Sequence, residues 1–167
     1  MPAEILKYKE FKKVTYYVLH VEGRGLHEFE DFQVRMNQIE RYRTELQKMI
    51  TLISEIGENH GALVEFFRNE RAAEALPQPW YHYLDVNEGG AEEYGLRLYC
   101  LRLTPDVVLL LNGDMKIAHK ADDCPNCGKH FKFANQVAKA INKDIEDGTL
   151  SIYGKDIEMD DDYILNL

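Results

Sequence analysis

At 167 residues with 45% apolar and 11% aromatic content, the chain can close one hydrophobic core and is short for two ordinary domains. Its net charge of −9 excludes a uniformly basic nucleic-acid binder, because phosphate recognition is built from clustered lysine and arginine. The opening MPAEILKYKEFKK lacks the apolar core of a secretory signal and no stretch is apolar enough to span a bilayer, so the expectation is a cytoplasmic protein with no membrane partner.

Lys7, Lys9, Lys12 and Lys13 read as a solvated N-terminal arm. Val14 to Val21 (VTYYVLHV), rich in β-branched and aromatic residues and followed by Glu22-Gly23-Arg24-Gly25, predicts a strand closed by a turn. From His27 to Ile56 the apolar residues Phe29, Phe32, Met36, Ile39, Tyr42, Leu46, Met49, Ile50, Ile53 and Ile56 recur at intervals that fit a helical stripe. This is one long helix or two joined near residues 37–41, ended by Gly57 and Gly61. Residues 62–76 (ALVEFFRNERAAEAL) read as helical up to Pro77 and Pro79. Three strands follow, Trp80–Val86, Gly95–Leu103 and Val107–Leu111, the last extended by Met115–Ala118.

Ala134, Val137, Ala138, Ile141 and Ile145 mark a final helix over 131–147 that stops at Gly148. Leu150 to Met159 reads as a small hairpin around Tyr153-Gly154-Lys155. The expected organisation is a single domain over 1–148 and an acidic C-terminal tail over 149–167. Charge is unevenly spread: residues 144–167 carry eight acids and one base, while 116–143 hold six lysines against two aspartates. A basic segment therefore stands beside an acidic one, and the acidic arm either covers it or is a solvated terminus.

The stretch YGLRLYCLRLTPDVVLLLNGDMKIAHKA, followed by ANQVAKAINKDI, together with RYRTELQKMITLISEIGENHG at the place of a helical hairpin, resembles the RelE/ParE toxin superfamily, in its phage-derived HigB-like branch. The resemblance covers roughly residues 14–147. It implies an α+β fold: an N-terminal strand and helical hairpin packed on a twisted antiparallel β-meander of about four strands, with a C-terminal helix nearby. It also implies the toxin of a type II toxin–antitoxin system, a metal-independent mRNA endoribonuclease or a diverged relative, with a cognate antitoxin and RNA or the ribosome as partners and no required cofactor.

Arg97 stands where the family carries its strand arginine and Lys116 where it carries a lysine after the meander. Strand alternation places Arg97 and Tyr99 on one face, so Arg97, Tyr99 and Lys116 are the candidate catalytic residues. In RNA cleavage by the 2′-hydroxyl, a permanently cationic group stabilises phosphorane charge while tyrosine or histidine serves proton transfer. On the alternative reading, Arg97 pairs with a carboxylate on the sheet and Tyr99 packs with Leu101. Lys120, Lys129 and Lys132 are the candidate RNA contacts.

HKADDCPNCGKHF is an insertion over 119–130 relative to the family pattern. Cys124-x-x-Cys127, with His130 downstream and His119 upstream, supplies a Cys2His2 set for a structural zinc, or else forms an unliganded turn. A thioredoxin-like role is weaker, since no strand leads directly into a helix at the pair. Trp80-Tyr81-His82-Tyr83 could stack bases or simply bury against helices. A reading of a different class is a non-catalytic interaction module on the same fold, stapled by zinc at the cysteine pair.

Overall fold

The computed structural model describes residues 1–78, 95–116 and 124–167. The expected strand Trp80–Val86, the Trp80–Tyr83 cluster, His119 and Lys120 lie outside these residues. The elements are β1 (Pro2–Glu10), β2 (Thr15–Val21), α1 (Glu28–Asn37), α2 (Glu40–Glu55), β3 (Arg68–Glu70), β4 (Ala73–Leu76), β5 (Leu96–Thr104), β6 (Val107–Met115), α3 (Gly128–Glu146), β7 (Ser151–Tyr153), β8 (Asp156–Glu158) and β9 (Leu165–Asn166). The class is α+β, with a mostly antiparallel sheet and three α-helices among the described residues.

The main sheet runs β3-β4-β5-β6-β2-β1-β9, and β7 pairs with β8 in a separate hairpin. Neighbours pair antiparallel except β2 and β6, which run parallel from Thr15 opposite Val107 to Val18 opposite Leu110. A strand buried on both faces reads as a continuous apolar run, and TYYVLHV and VVLLL are such runs. Tyr16, Val18, Cys100, Val108 and Leu110 face α1 and α2; Tyr17, Leu19, Tyr99, Leu101, Leu109 and Leu111 face α3. Helices therefore cover both faces of the central strands.

The long stripe divides into two helices, with Gln38 and Ile39 between them. His27 caps α1: its Nδ1 accepts from the Glu30 N–H at 3.1 Å, and Glu28, Glu30 and Asp31 place negative charge in the first turn, where the helix dipole favours it. A five-residue π-turn, Ile56–His60, ends α2, and Gly61 turns the chain with φ 83°.

Residues 62–76 are not a helix. They form a single 3-10 turn at Val64–Phe66 and the hairpin β3–β4, turned through Arg71 at φ 66°. Alanine and glutamate favour helix locally, but β4 pairs with β5, and the small Ala73 and Ala75 are fully buried in the core formed with α3. Asn135 on α3 locks this contact. It accepts from the Ala72 N–H at 2.8 Å and donates to the Glu70 carbonyl at 3.0 Å.

The lysine-bearing N-terminal arm is also corrected: Pro2–Glu10 is strand β1, with Ala3 and Ile5 facing the core. The C-terminal segment forms its expected hairpin, and it packs into the same core through Leu150, Ile157 and Leu165. β9 pairs with β1, Lys7 bonds Asp156 at 2.8 Å, and the Tyr163 hydroxyl donates to Asp144 at 2.6 Å. The segment thus lies on β1 and the end of α3, and Lys129 and Lys132 remain exposed.

Candidate nucleic-acid interface

The adjacent parallel strands β2 and β6 send their chains to opposite faces, β2 into α1 and β6 towards α3. Where neighbouring connections diverge in this way, a crevice opens beyond the carboxyl ends of the strands. Here it is a cleft of about 730 Å³. Arg24, Glu28 and Asp31 line one side, Asn112 belongs to β6, and Lys129, His130, Lys132 and Phe133 come from the first turns of α3.

A polar network holds the α1 side to the sheet. Arg35 donates to Asp31 at 2.8 Å, Asp114 at 2.9 Å, Asn112 at 2.5 Å and the Gly113 carbonyl at 2.7 Å. Asn112 donates to Asp31 at 2.9 Å. Burial pushes the Asp31 carboxyl up, but the bonds from Asn112 and Arg35 outweigh it and hold its pKa below the usual value. Arg24 bonds the buried Glu28 at 2.6 Å, and its guanidinium lies 5.3 Å from the Phe133 ring centre.

His130 has an Nε2 without a hydrogen-bond partner among the described residues, 4.0 Å from Asp114 Oδ2. Burial, with Arg35 and Lys129 nearby, lowers its pKa to about 4. The imidazole is therefore neutral at physiological pH.

Along α3, Lys129, Lys132, Gln136, Lys139 and Lys143 recur every three or four residues and are all exposed. They make one stripe about 21 Å long at the helical rise of ~1.5 Å per residue. A second groove, of about 490 Å³, flanks the stripe between Arg71, Phe131, Lys132 and Lys139. Cations on an exposed helix face beside two grooves can track a phosphate backbone.

The catalytic candidates gather elsewhere, beneath the start of α3. Lys116 has its pKa lowered by burial first and then by the Arg97 charge, with Glu70 acting against both. Tyr99 is raised by burial, then by Cys127 and Glu70. Arg97, Tyr99 and Lys116 therefore share a neighbourhood with Glu70 and Cys127. Yet Arg97 is 1% and Tyr99 0% exposed, so a phosphate cannot touch either with the chain packed this way. Arg97 also donates to the Leu96 carbonyl at 3.0 Å.

Cys124 and Cys127 are both buried and are not joined in a disulfide. The Cys127 N–H donates to the Cys124 sulfur at 3.3 Å, and the two thiols point to the carbonyls of Met115 and Asp114. Burial raises the Cys127 pKa, followed by the neighbouring Cys124. The pair does lead directly into a helix, α3, which the sequence reading did not anticipate. Among the described residues no three His, Cys, Asp or Glu side chains converge as a metal set.

No family model matches the chain, and neither curated proteins nor solved structures give a significant match. The network of Asp31, Arg35, Asn112 and Asp114 escaped the sequence reading; its only local signal is the four-residue spacing of Asp31 and Arg35.

Proposed function

We propose that the chain is an RNA-directed protein of the RelE/ParE toxin type, contacting RNA through the lysine stripe of α3 and its flanking grooves. The observation that carries this reading is the exposed row of Lys129, Lys132, Lys139 and Lys143, none of which forms a salt bridge among the described residues. The order of strand, helical hairpin, β5–β6 hairpin and last helix follows the order that the resemblance implies, although the sheet has seven strands rather than about four and joins β2 to β6 in parallel. Local charge outweighs net charge here, because the Debye length at physiological salt is only ~8 Å. Of the acidic segment, Tyr163 meets Asp144, beside Lys143 at the far end of the stripe from Lys129 and Lys132.

The burial of Arg97 and Tyr99 favours a second reading, a non-catalytic interaction module on the same fold. Under the first reading an antitoxin partner keeps the activity in check, and cleavage through Arg97, Tyr99 and Lys116 requires that neighbourhood to open. Induced expression with parallel measurement of growth and RNA integrity separates the two. Growth arrest with fragmented RNA supports the endoribonuclease; RNA binding without fragmentation supports the module. Absence of RNA binding at low salt would overturn the RNA-directed reading.

A further inference from the structure

The cleft between α1 and α3 has walls of opposite character. Lys129 and Lys132 stand on the α3 side, and Glu28 and Asp31 on the α1 side, with the half-buried Phe133 ring also lining the space. Asp31 Oδ2 accepts from Arg35 and Asn112, and Glu28 Oε1 accepts from Arg24. Each carboxylate keeps further acceptor capacity for a ligand's hydroxyl or amino donors. The ligand that satisfies all three features carries an anion at one end, a flat ring, and hydrogen-bond donors between or beyond them.

We infer that this cleft holds a single nucleotide unit: its phosphate on Lys129 and Lys132, its base taking the place over the Phe133 ring that the Arg24 guanidinium occupies in this structure, and its ribose or amino donors on Asp31 and Glu28. The inference rests on the RNA reading and deepens it, since one unstacked nucleotide of a bound strand would enter the cleft while the rest follows the stripe. About 730 Å³ accommodates such a ligand. A base on an aromatic ring adds affinity with little dependence on sequence, so the site fixes the strand's position rather than reading it. His130 lines the same cleft, but its Nε2 is buried, so the ring shapes the wall rather than bonding the ligand.

The test is calorimetry and amide chemical-shift mapping on the full chain with adenosine 5′-monophosphate, adenosine, inorganic phosphate and glycine as probes. The monophosphate should bind at least tenfold tighter than adenosine or phosphate, with shifts centred on Arg24, Asp31 and Phe133, and glycine should not bind. Phe133→Leu should weaken the monophosphate about tenfold and leave phosphate unchanged, the size expected for one lost base stack. Phe133→Tyr, which keeps the ring, should retain affinity and so separates stacking from damage to the fold. Monophosphate binding no tighter than phosphate, equal binding of glycine, or shifts confined to another surface would overturn the inference. RNA binding that survives Phe133→Leu in a protein that ignores the monophosphate sinks the nucleotide site alone. Monophosphate binding in the cleft of a protein that binds no RNA sinks the RNA reading alone.

Discussion

Glu45 lies within the apolar stripe of α2 and is 1% exposed, and neither carboxyl oxygen has a hydrogen-bond partner among the described residues. Burial raises its pKa from 4.5 to about 7, against the opposing pull of Arg41, Arg97 and Lys48. Because the folded pKa lies above the unfolded one, the fold binds the proton more tightly. The associated stability is fully present below pH 4.5 and is lost as pH rises through about 7. A rise of this size corresponds to ~3 kcal/mol between the two limits. Glu45→Gln keeps the shape and cannot titrate, so the difference between parent and variant isolates this group from every other titration. Urea unfolding at pH 4.5 and pH 8.5 should show the variant gaining up to ~3 kcal/mol on the parent over that interval. Parallel stability curves across the range would refute the assignment of Glu45 as a carboxyl buried without compensation.

Gly113 sits where β6 passes β5, and an added Cβ would lie 1.9 Å from the Arg97 carbonyl oxygen. Backbone cannot yield there cheaply, so Gly113→Ala should cost about 3 kcal/mol by thermal or urea unfolding, and an unchanged stability would show that the β5–β6 approach is looser. Residues 150–167 supply Leu150, Ile157 and Leu165 to the core, so deleting 149–167 should abolish cooperative unfolding. Changing Asp160, Asp161 and Asp162 to Asn should leave stability nearly unchanged, and a rise in RNA affinity under that change would revive the acidic arm as a cover over the lysines. The zinc proposal on Cys124 and Cys127, with His119 or His130, is tested by elemental analysis of protein purified without chelator: one zinc per chain, lost in Cys124→Ser, supports it, and no stoichiometric zinc leaves a buried thiol pair.

The helix pair and the central strands were legible because their patterns report burial directly. β2 and β6 are apolar on both faces, and Phe29, Phe32, Met36, Leu46 and Met49 keep helical spacing. β4 was not legible: AEAL has helical propensity, and its strand state comes from pairing with β5 and close packing in the α3 core. β1 was hidden because only Ala3 and Ile5 point inward and the rest of the strand is exposed. Lys129 and Lys132 were visible as part of a basic segment. The cleft was not, since it depends on β2 and β6 lying side by side across about ninety residues of chain. Strand alternation put Arg97 and Tyr99 on one face, but alternation says nothing about whether α3 covers that face.

The lysine stripe of α3 carries the RNA contact, and the salt dependence of RNA binding measures it. Binding of a single-stranded RNA, followed by fluorescence anisotropy between low and moderate salt, should give a log–log slope that becomes shallower by about 3 when Lys129, Lys132, Lys139 and Lys143 are all changed to Ala, since each single-strand phosphate contact contributes ~0.7. Affinity at low salt should fall with it while far-UV circular dichroism stays the same. A folded quadruple variant that binds RNA with the parent's slope and affinity would contradict the assignment of α3 as the RNA-contact face.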